Sequence, residues 1–238
     1  GSSGIGLSLA TMLIADESKH VIITSRSSEK GQAVLHRLKA LKQPGIIEMF
    51  QLELSNPHSI TNLGERLRRD YGRIDALVNN AAQAIAPPGT SLFDHMQRCF
   101  AVNVCGPAFV IETFLPLLEK SIMVPRIINV GSGGGSISRT LDPSISGGPL
   151  AIPYKTSKAA LNMLSSIEVA IFRETEKNVK VFTYCPGFCV SNLGPYNKPE
   201  NGAKPTEQGA CPMITILNGE KDAEHGCFLN SEGTQHPW

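Results

Sequence analysis

The chain has 238 residues and a mass of 25.6 kDa, and its 22 Lys and Arg against 21 Asp and Glu leave a formal net charge of +1. That balance, with only 6% aromatic residues, excludes a nucleic-acid binder built on a basic surface and stacking rings. With 41% hydrophobic and 18% charged residues, the composition is that of a chain with a large core and is far from disorder.

The chain opens on Gly1-Ser2-Ser3-Gly4-Ile5-Gly6. An apolar helical pattern of Leu7, Leu9, Ala10, Leu13 and Ile14 follows. Ser3, Gly4, Ile5 and Gly6 therefore read as a tight turn at a helix N-terminus, where backbone N–H groups face an anion such as a pyrophosphate. Val21–Thr24 is a compact strand. Its tip, Ser25-Arg26-Ser27-Ser28, carries no acid, and Arg26 beside the Ser27 hydroxyl suits a phosphate. Lys30 to Lys42 is a helix with an apolar stripe, and Ile46 to Leu54 is the next strand. Asn56 and Pro57 suit the N-cap and first position of a helix carrying Ile60, Leu63 and Leu67 inward and ending near Gly72.

Ile74–Asn79 is a strand, followed by helices around Leu92–Cys105 and Ala108–Glu119. Arg126–Val130 is another strand, and a Gly-, Ser- and Pro-rich loop runs from Gly131 to Pro149. Tyr154 to Phe172 is a long helix with Ala160, Leu161, Leu164, Ile167 and Ile171 on one side. Val179–Tyr184 is a strand ending in Cys185-Pro186-Gly187, and a loop runs to Pro205. A last helix opens at Thr206, and Gly226–Leu229 is a short last strand. Alternating strands and helices predict right-handed βαβ units: an α/β, Rossmann-type, doubly wound parallel sheet with helices on both faces, in one domain spanning residues 1–238. The first strand of such a sheet lies centrally, so further residues are expected before Gly1.

Six cysteines form no C-x-x-C pair, and Cys185 and Cys189 read as free thiols on a strand and its exit loop; no metal site is expected. No apolar run approaches the ~18 residues of a membrane span, and a soluble, cytoplasmic protein is expected.

Tyr154 and Lys158 stand four apart on one helix and share a face. A phenol with a pKa near ~10 is a poor proton donor at neutral pH, and a neighbouring ammonium lowers it. Ser132 follows the Arg126–Val130 strand, and Asn79-Asn80-Ala81-Ala82 ends the strand before. Strand C-terminal ends converge on the ligand crevice of an open α/β sheet. There Ser132 can hydrogen-bond a carbonyl oxygen, and Asn103 can hold a water or a backbone carbonyl in a proton relay.

With these residues in place, the chain resembles the short-chain dehydrogenase/reductase family over essentially its whole length. Gly4 and Gly6 match the end of its T-G-x-x-x-G-x-G pattern, and Asn79-Asn80-Ala81 matches N-N-A-G with Ala82 for Gly. Asn103, Ser132, Tyr154 and Lys158 match its catalytic set. Pro186-Gly187-Phe188-Cys189-Val190-Ser191 resembles its P-G-x-V-x-T, with Cys189 for Val and Ser191 for Thr. Glu53, followed by Leu54, occupies the family's adenine-contacting Asp position. The resemblance implies a nicotinamide dinucleotide cofactor held by these segments, with Tyr154 as proton donor and Lys158 lowering its pKa and holding the nicotinamide ribose. Arg26 favours NADP(H) over NAD(H).

Tyr154 follows Ser132 by 22 positions, and the Gly-, Ser- and Pro-rich segment between them is similar to that of monomeric carbonyl reductases. The expectation is a monomer, with a dimer or tetramer as alternatives. A substrate pocket of Ser132, Gly133, Gly134, Phe188, Leu193 and Tyr196 implies a neutral carbonyl or alcohol substrate. The expected activity is NADPH-dependent carbonyl reduction. Alternatives are a dinucleotide-binding regulatory protein without catalysis, and a hydro-lyase or isomerase on the same scaffold.

Overall fold

The computed structural model describes residues 1–144 and 152–238. The expected insertion therefore lies partly outside the described residues, at Gly147-Gly148-Pro149. The elements in order are α1 (Gly4–Leu13), β1 (His20–Ser25), α2 (Ser28–Ala40), β2 (Ile46–Gln51), α3 (Pro57–Asp70) and β3 (Ala76–Asn79). Then come α4 (Leu92–Phe100), α5 (Gly106–Leu118), β4 (Arg126–Val130), α6 (Ile137–Leu141), α7 (Ile152–Glu174), β5 (Lys180–Cys185), α8 (Thr206–Leu217) and β6 (Phe228–Asn230).

All strand pairs are parallel, as alternating βαβ units require. The ladder is interrupted: β1 pairs with β2, while β3, β4, β5 and β6 form a second sheet in that order. At the break Gly1 N donates to Thr24 O at 2.8 Å.

Helices cover both faces. On one, Leu9 of α1 and Ala210, Met213 and Ile216 of α8 pack on Ile128, Val130, Phe182 and Tyr184, while Val34 and Leu38 of α2 pack on Ile23, Ile47 and Met49. On the other, Ile60, Leu63 and Leu67 of α3 meet Val110, Phe114 and Leu117 of α5, and Ile111, Leu118 and Phe172 cover Ile127 and Val181. Asn56 accepts from His58 N at 3.0 Å and Pro57 opens α3, as their residue types dictate.

Three sequence expectations change. The Gly131–Pro149 segment contains a tight Gly133–Gly135 turn and helix α6 rather than loop alone, because Ser136 caps α6 by accepting from Arg139 N at 3.1 Å. The two middle helices are continuous through a wider π-type turn at Ala101–Cys105. The resulting Leu92–Leu118 helix is long and apolar enough to cross a membrane, although no such run was expected; here Val110, Ile111, Phe114, Leu117 and Leu118 fill the core.

The third concerns α7. Of the apolar residues that share one side of the helix only Leu161 is buried, whereas Ile167 and Ile171 are 46% and 47% exposed. The buried side is Ser157, Lys158, Leu161, Asn162, Ser165, Glu168 and Phe172. Its polar atoms find partners along β4: Lys158 Nζ donates to Val130 O, Asn162 Nδ2 to Gly135 O, and Asn129 Nδ2 donates to Ser165 Oγ and Glu168 Oε2. Satisfied polar groups can be buried, so periodicity of apolar residues alone selects the wrong face.

Candidate active site

The C-terminal ends of β3, β4 and β5 bring the sequence-predicted groups together. Ser132 leaves β4 in extended conformation, and its Oγ accepts from Gly134 N at 3.1 Å. The Ser132 hydroxyl stands on the Tyr154 side and acts to lower the phenol's pKa. Lys158, one turn further along α7, is 2% exposed and donates to Val130 O at 2.7 Å. Its ammonium stands 5.8 Å from the Tyr154 ring centroid.

The expected electrostatics are reversed here. Burial pushes the Tyr154 phenol up to about 12, against the Ser132 hydroxyl, which lowers it. Burial also pulls Lys158 down to about 8. The ammonium is committed to the Val130 carbonyl, and the loss of hydration at the phenol is the largest cause of its shift.

Asn103 is fully buried in the wide turn between α4 and α5. Its Oδ1 accepts from Gln83 N at 2.7 Å, and its Nδ2 donates to Gln83 O at 2.8 Å and Ser157 Oγ at 2.9 Å. It thus ties the loop after β3 to α7.

The glycine-rich opening fits a dinucleotide. Gly4 adopts φ +54°, a left-handed conformation that side chains disfavour. A Cβ on Gly6 would stand 2.6 Å from Asn80 Nδ2, so only glycine lets α1 approach that side chain. Ser3 caps α1 without a side-chain hydrogen bond, leaving first-turn N–H groups for an anion. Ser191 closes on Gly4 from the opposite loop, 3.8 Å from where a Gly4 Cβ would be.

Arg26 lies at the tip of β1 with its side chain 76% exposed, 3.7 Å from Glu53 Oε2. Ser27 is committed elsewhere: its Oγ accepts from Lys30 N at 3.3 Å as the α2 cap. Glu53 is held by Ser55, whose N and Oγ donate to Oε1. Leu54 packs on Gly106, where a Cβ would come within 2.8 Å of Leu54 Cβ. Ala81 and Ala82 follow β3 toward Gln83. Pro186 is buried, Gly187 takes φ +75°, and Cys189 donates its thiol to Pro186 O at 3.2 Å. Of the expected substrate residues, Phe188 and Tyr196 are exposed, and Ser132, Gly133, Gly134 and Leu193 are half-buried.

Sequence reasoning missed two features. Cys185 Sγ accepts from Gly133 N at 3.1 Å and fixes the turn after Ser132. Beneath the site, Asn79 Nδ2 donates to Asn129 Oδ1 at 2.8 Å, and Asn129 donates in turn to the buried Glu168. A signal was present: Glu168 stands seven residues after Leu161, on the same helix face. All six cysteines are free, and no metal-binding cluster occurs among the described residues.

The geometry agrees with what known proteins show. The family model for "short chain dehydrogenase" matches residues 1–201. "Short-chain dehydrogenase anuI" of Penicillium roqueforti is 31% identical over 239 residues, covering 98% of this chain and 92% of its own. Human "Carbonyl reductase [NADPH] 1" is 26% identical over 267 residues, with 98% and 94% covered. Among solved structures, NADPH-bound carbonyl reductase from chicken fatty liver superposes with a TM-score of 0.79 at 28% identity, covering 100% of this chain and 96% of that one. A shared fold, a family model matching most of the chain and a relative 31% identical over nearly its whole length lead to one conclusion: the chain belongs to the short-chain dehydrogenase family of oxidoreductases, which use a nicotinamide dinucleotide.

Proposed function

We propose that this protein is an NADPH-dependent reductase of ketones or aldehydes. The observation that carries the reading is the placement of Ser132 just after β4 with Tyr154 and Lys158 one turn apart on α7, the Lys158 ammonium 5.8 Å from the Tyr154 ring centroid. The preference for NADP(H) rests on Arg26, which stands where an NAD-specific site would place an acid. The NADPH-bound neighbour supports that preference.

NADPH, when bound, supplies the hydride that reaches the carbonyl carbon. The Ser132 hydroxyl donates a hydrogen bond to the carbonyl oxygen and polarises it. Tyr154 gives its proton to that oxygen as negative charge develops. Burial keeps the phenol protonated at neutral pH, the form that reduction needs. Lys158 stabilises the phenolate left behind, and its position on the Tyr154 side of α7 suits contact with the nicotinamide ribose hydroxyls. Asn103 anchors the loop at Gln83 and the Ser157 turn of α7, which positions Tyr154.

The test is NADPH consumption with a panel of ketones, quinones and aldehydes. Tyr154→Phe abolishes turnover, a loss of about 10²–10⁴-fold, while NADPH binding survives. Turnover retained in this variant refutes the mechanism. A wild-type protein that binds NADPH but reduces nothing in the panel favours a regulatory dinucleotide-binding role. The assembly in this reading is a monomer, and sedimentation as a stable tetramer overturns that part alone.

A further inference from the structure

We propose that a cavity on the outer side of α1 binds a monoanionic amphiphile, an apolar chain ending in one carboxylate, held by Arg37 and Lys198. The cavity has a volume of about 700 Å³, within the ~300–1,000 Å³ of small-molecule sites. Its walls are α1, the second half of α2, the loop after β5 and the start of α8. It begins beside the glycine turn, at Gly4 and Ser191, and follows α1 to Met12, a rise of about 12 Å. Ser132, Tyr154, Lys158 and Arg26 do not line it, so it is separate from the reacting centre and from the tip of β1. The proposal goes beyond the reductase reading and does not rest on it.

The apolar floor follows from two helical patterns. In α1, Leu9 and Ala10 are buried in the core, and Leu7 and Met12, half-buried, line the cavity. In α2, Val34, Leu38 and Leu41 stand at spacings of four and three and so share one side of the helix. Val34 and Leu38 are buried, whereas Leu41 is 49% exposed at the cavity's margin. An apolar chain laid on these five side chains covers surface that water now reaches.

The polar lining selects the head group, because most of it is already committed to the protein. Ser8 Oγ donates to Glu207 Oε1 at 3.2 Å and stands 2.7 Å from Thr206 Oγ1. Thr11 Oγ1 donates to Leu7 O at 2.9 Å, Asn197 Nδ2 donates to Cys189 O at 3.0 Å, and Ser191 Oγ accepts from Leu193 N at 3.3 Å. Arg37, Asn192 and Lys198 remain, with no side-chain hydrogen bond or ion pair to any other described residue. All three present donors. Arg37 and Lys198 come from different walls, α2 and the loop, and are exposed, so a ligand reaches both from solvent. Two cations face one acid, Glu207, which leaves a single positive charge in excess. A neutral ligand leaves that charge unmatched, and a polyanion meets the Glu207 carboxylate. One carboxylate on an apolar chain matches both the floor and the charge.

The test is isothermal titration calorimetry of the full chain with octanoate, decanoate and methyl octanoate, with and without saturating NADPH. The wild type binds octanoate at least about tenfold more tightly than its methyl ester, as charge-assisted hydrogen bonds imply. Decanoate binds about tenfold more tightly than octanoate, since two further methylenes leave water. The double variant Arg37→Glu, Lys198→Glu changes exposed side chains and loses the preference for the acid. Thr11→Phe fills the cavity from α1 and weakens all three ligands, and thermal melts of both variants check that they are folded. Absence of octanoate binding, equal affinity for the ester, or wild-type octanoate affinity in either folded variant overturns the proposal. Octanoate displaced by NADPH overturns it as well, because the ligand then occupies the cofactor site. A carbonyl panel that is not reduced leaves this site standing, and loss of the site leaves the reductase reading standing.

Discussion

Glu168→Gln probes the polar layer under the site. The wild-type carboxyl is 6% exposed, and burial pushes it from the ordinary 4.5 up to about 8, against a hydrogen bond from Asn129 that lowers it. The folded protein therefore keeps a proton that the unfolded chain loses above pH 4.5. Stability from this group is fully present below that pH, drains as pH rises, and is gone above about 8. At about 1.4 kcal/mol per pH unit, the difference amounts to about 5 kcal/mol at most. The amide of Gln copies the protonated acid in shape: its oxygen still accepts from Asn129, and it does not titrate. Urea midpoints of both proteins from pH 4 to 9 check the sign. The variant matches the wild type near pH 4 and is more stable by several kcal/mol at pH 9. Parallel curves between pH 5 and 8 refute the reasoning, because they mean that Glu168 is ionised or hydrated in the fold.

Arg126→Ala removes a guanidinium that is 7% exposed and its bonds to the partly exposed Asp222, so stability falls by about 1.5–3 kcal/mol, measured by urea denaturation. Arg26→Ala weakens NADPH binding by about tenfold or more and leaves NADH binding nearly unchanged in cofactor titrations. An unchanged NADPH constant removes Arg26 from the phosphate site.

Much of the site was legible because its chemistry needs particular residue types at fixed offsets. Tyr154 and Lys158 share a face of α7 by helical periodicity alone, and Ser132 follows a strand end that the β-branched run Ile127-Ile128 announces. Arg26 was readable for the same reason, since the tip of β1 is reached by counting along a strand. The inward face of α7 was not legible. Its buried Lys158, Asn162, Ser165 and Glu168 find partners on β4 and the Gly133 turn, 27 to 39 residues away in sequence. Apolar periodicity knows nothing of these partners.

The pattern of strands, helices and glycines by itself determined the parallel α/β architecture and singled out the glycine turn, Ser132, Tyr154 and Lys158 as candidates. These follow from backbone preferences and local spacing, which act over a few residues. Tertiary structure alone decided the state of those groups. Burial sends the Tyr154 phenol upward and Lys158 downward because desolvation depends on everything packed around them. It also brought Arg139 and His236, 97 positions apart, to one glycine. No local rule joins an α6 arginine to a C-terminal histidine; the contact exists only because β6, Phe228 and Trp238 fold the chain's end back over that turn.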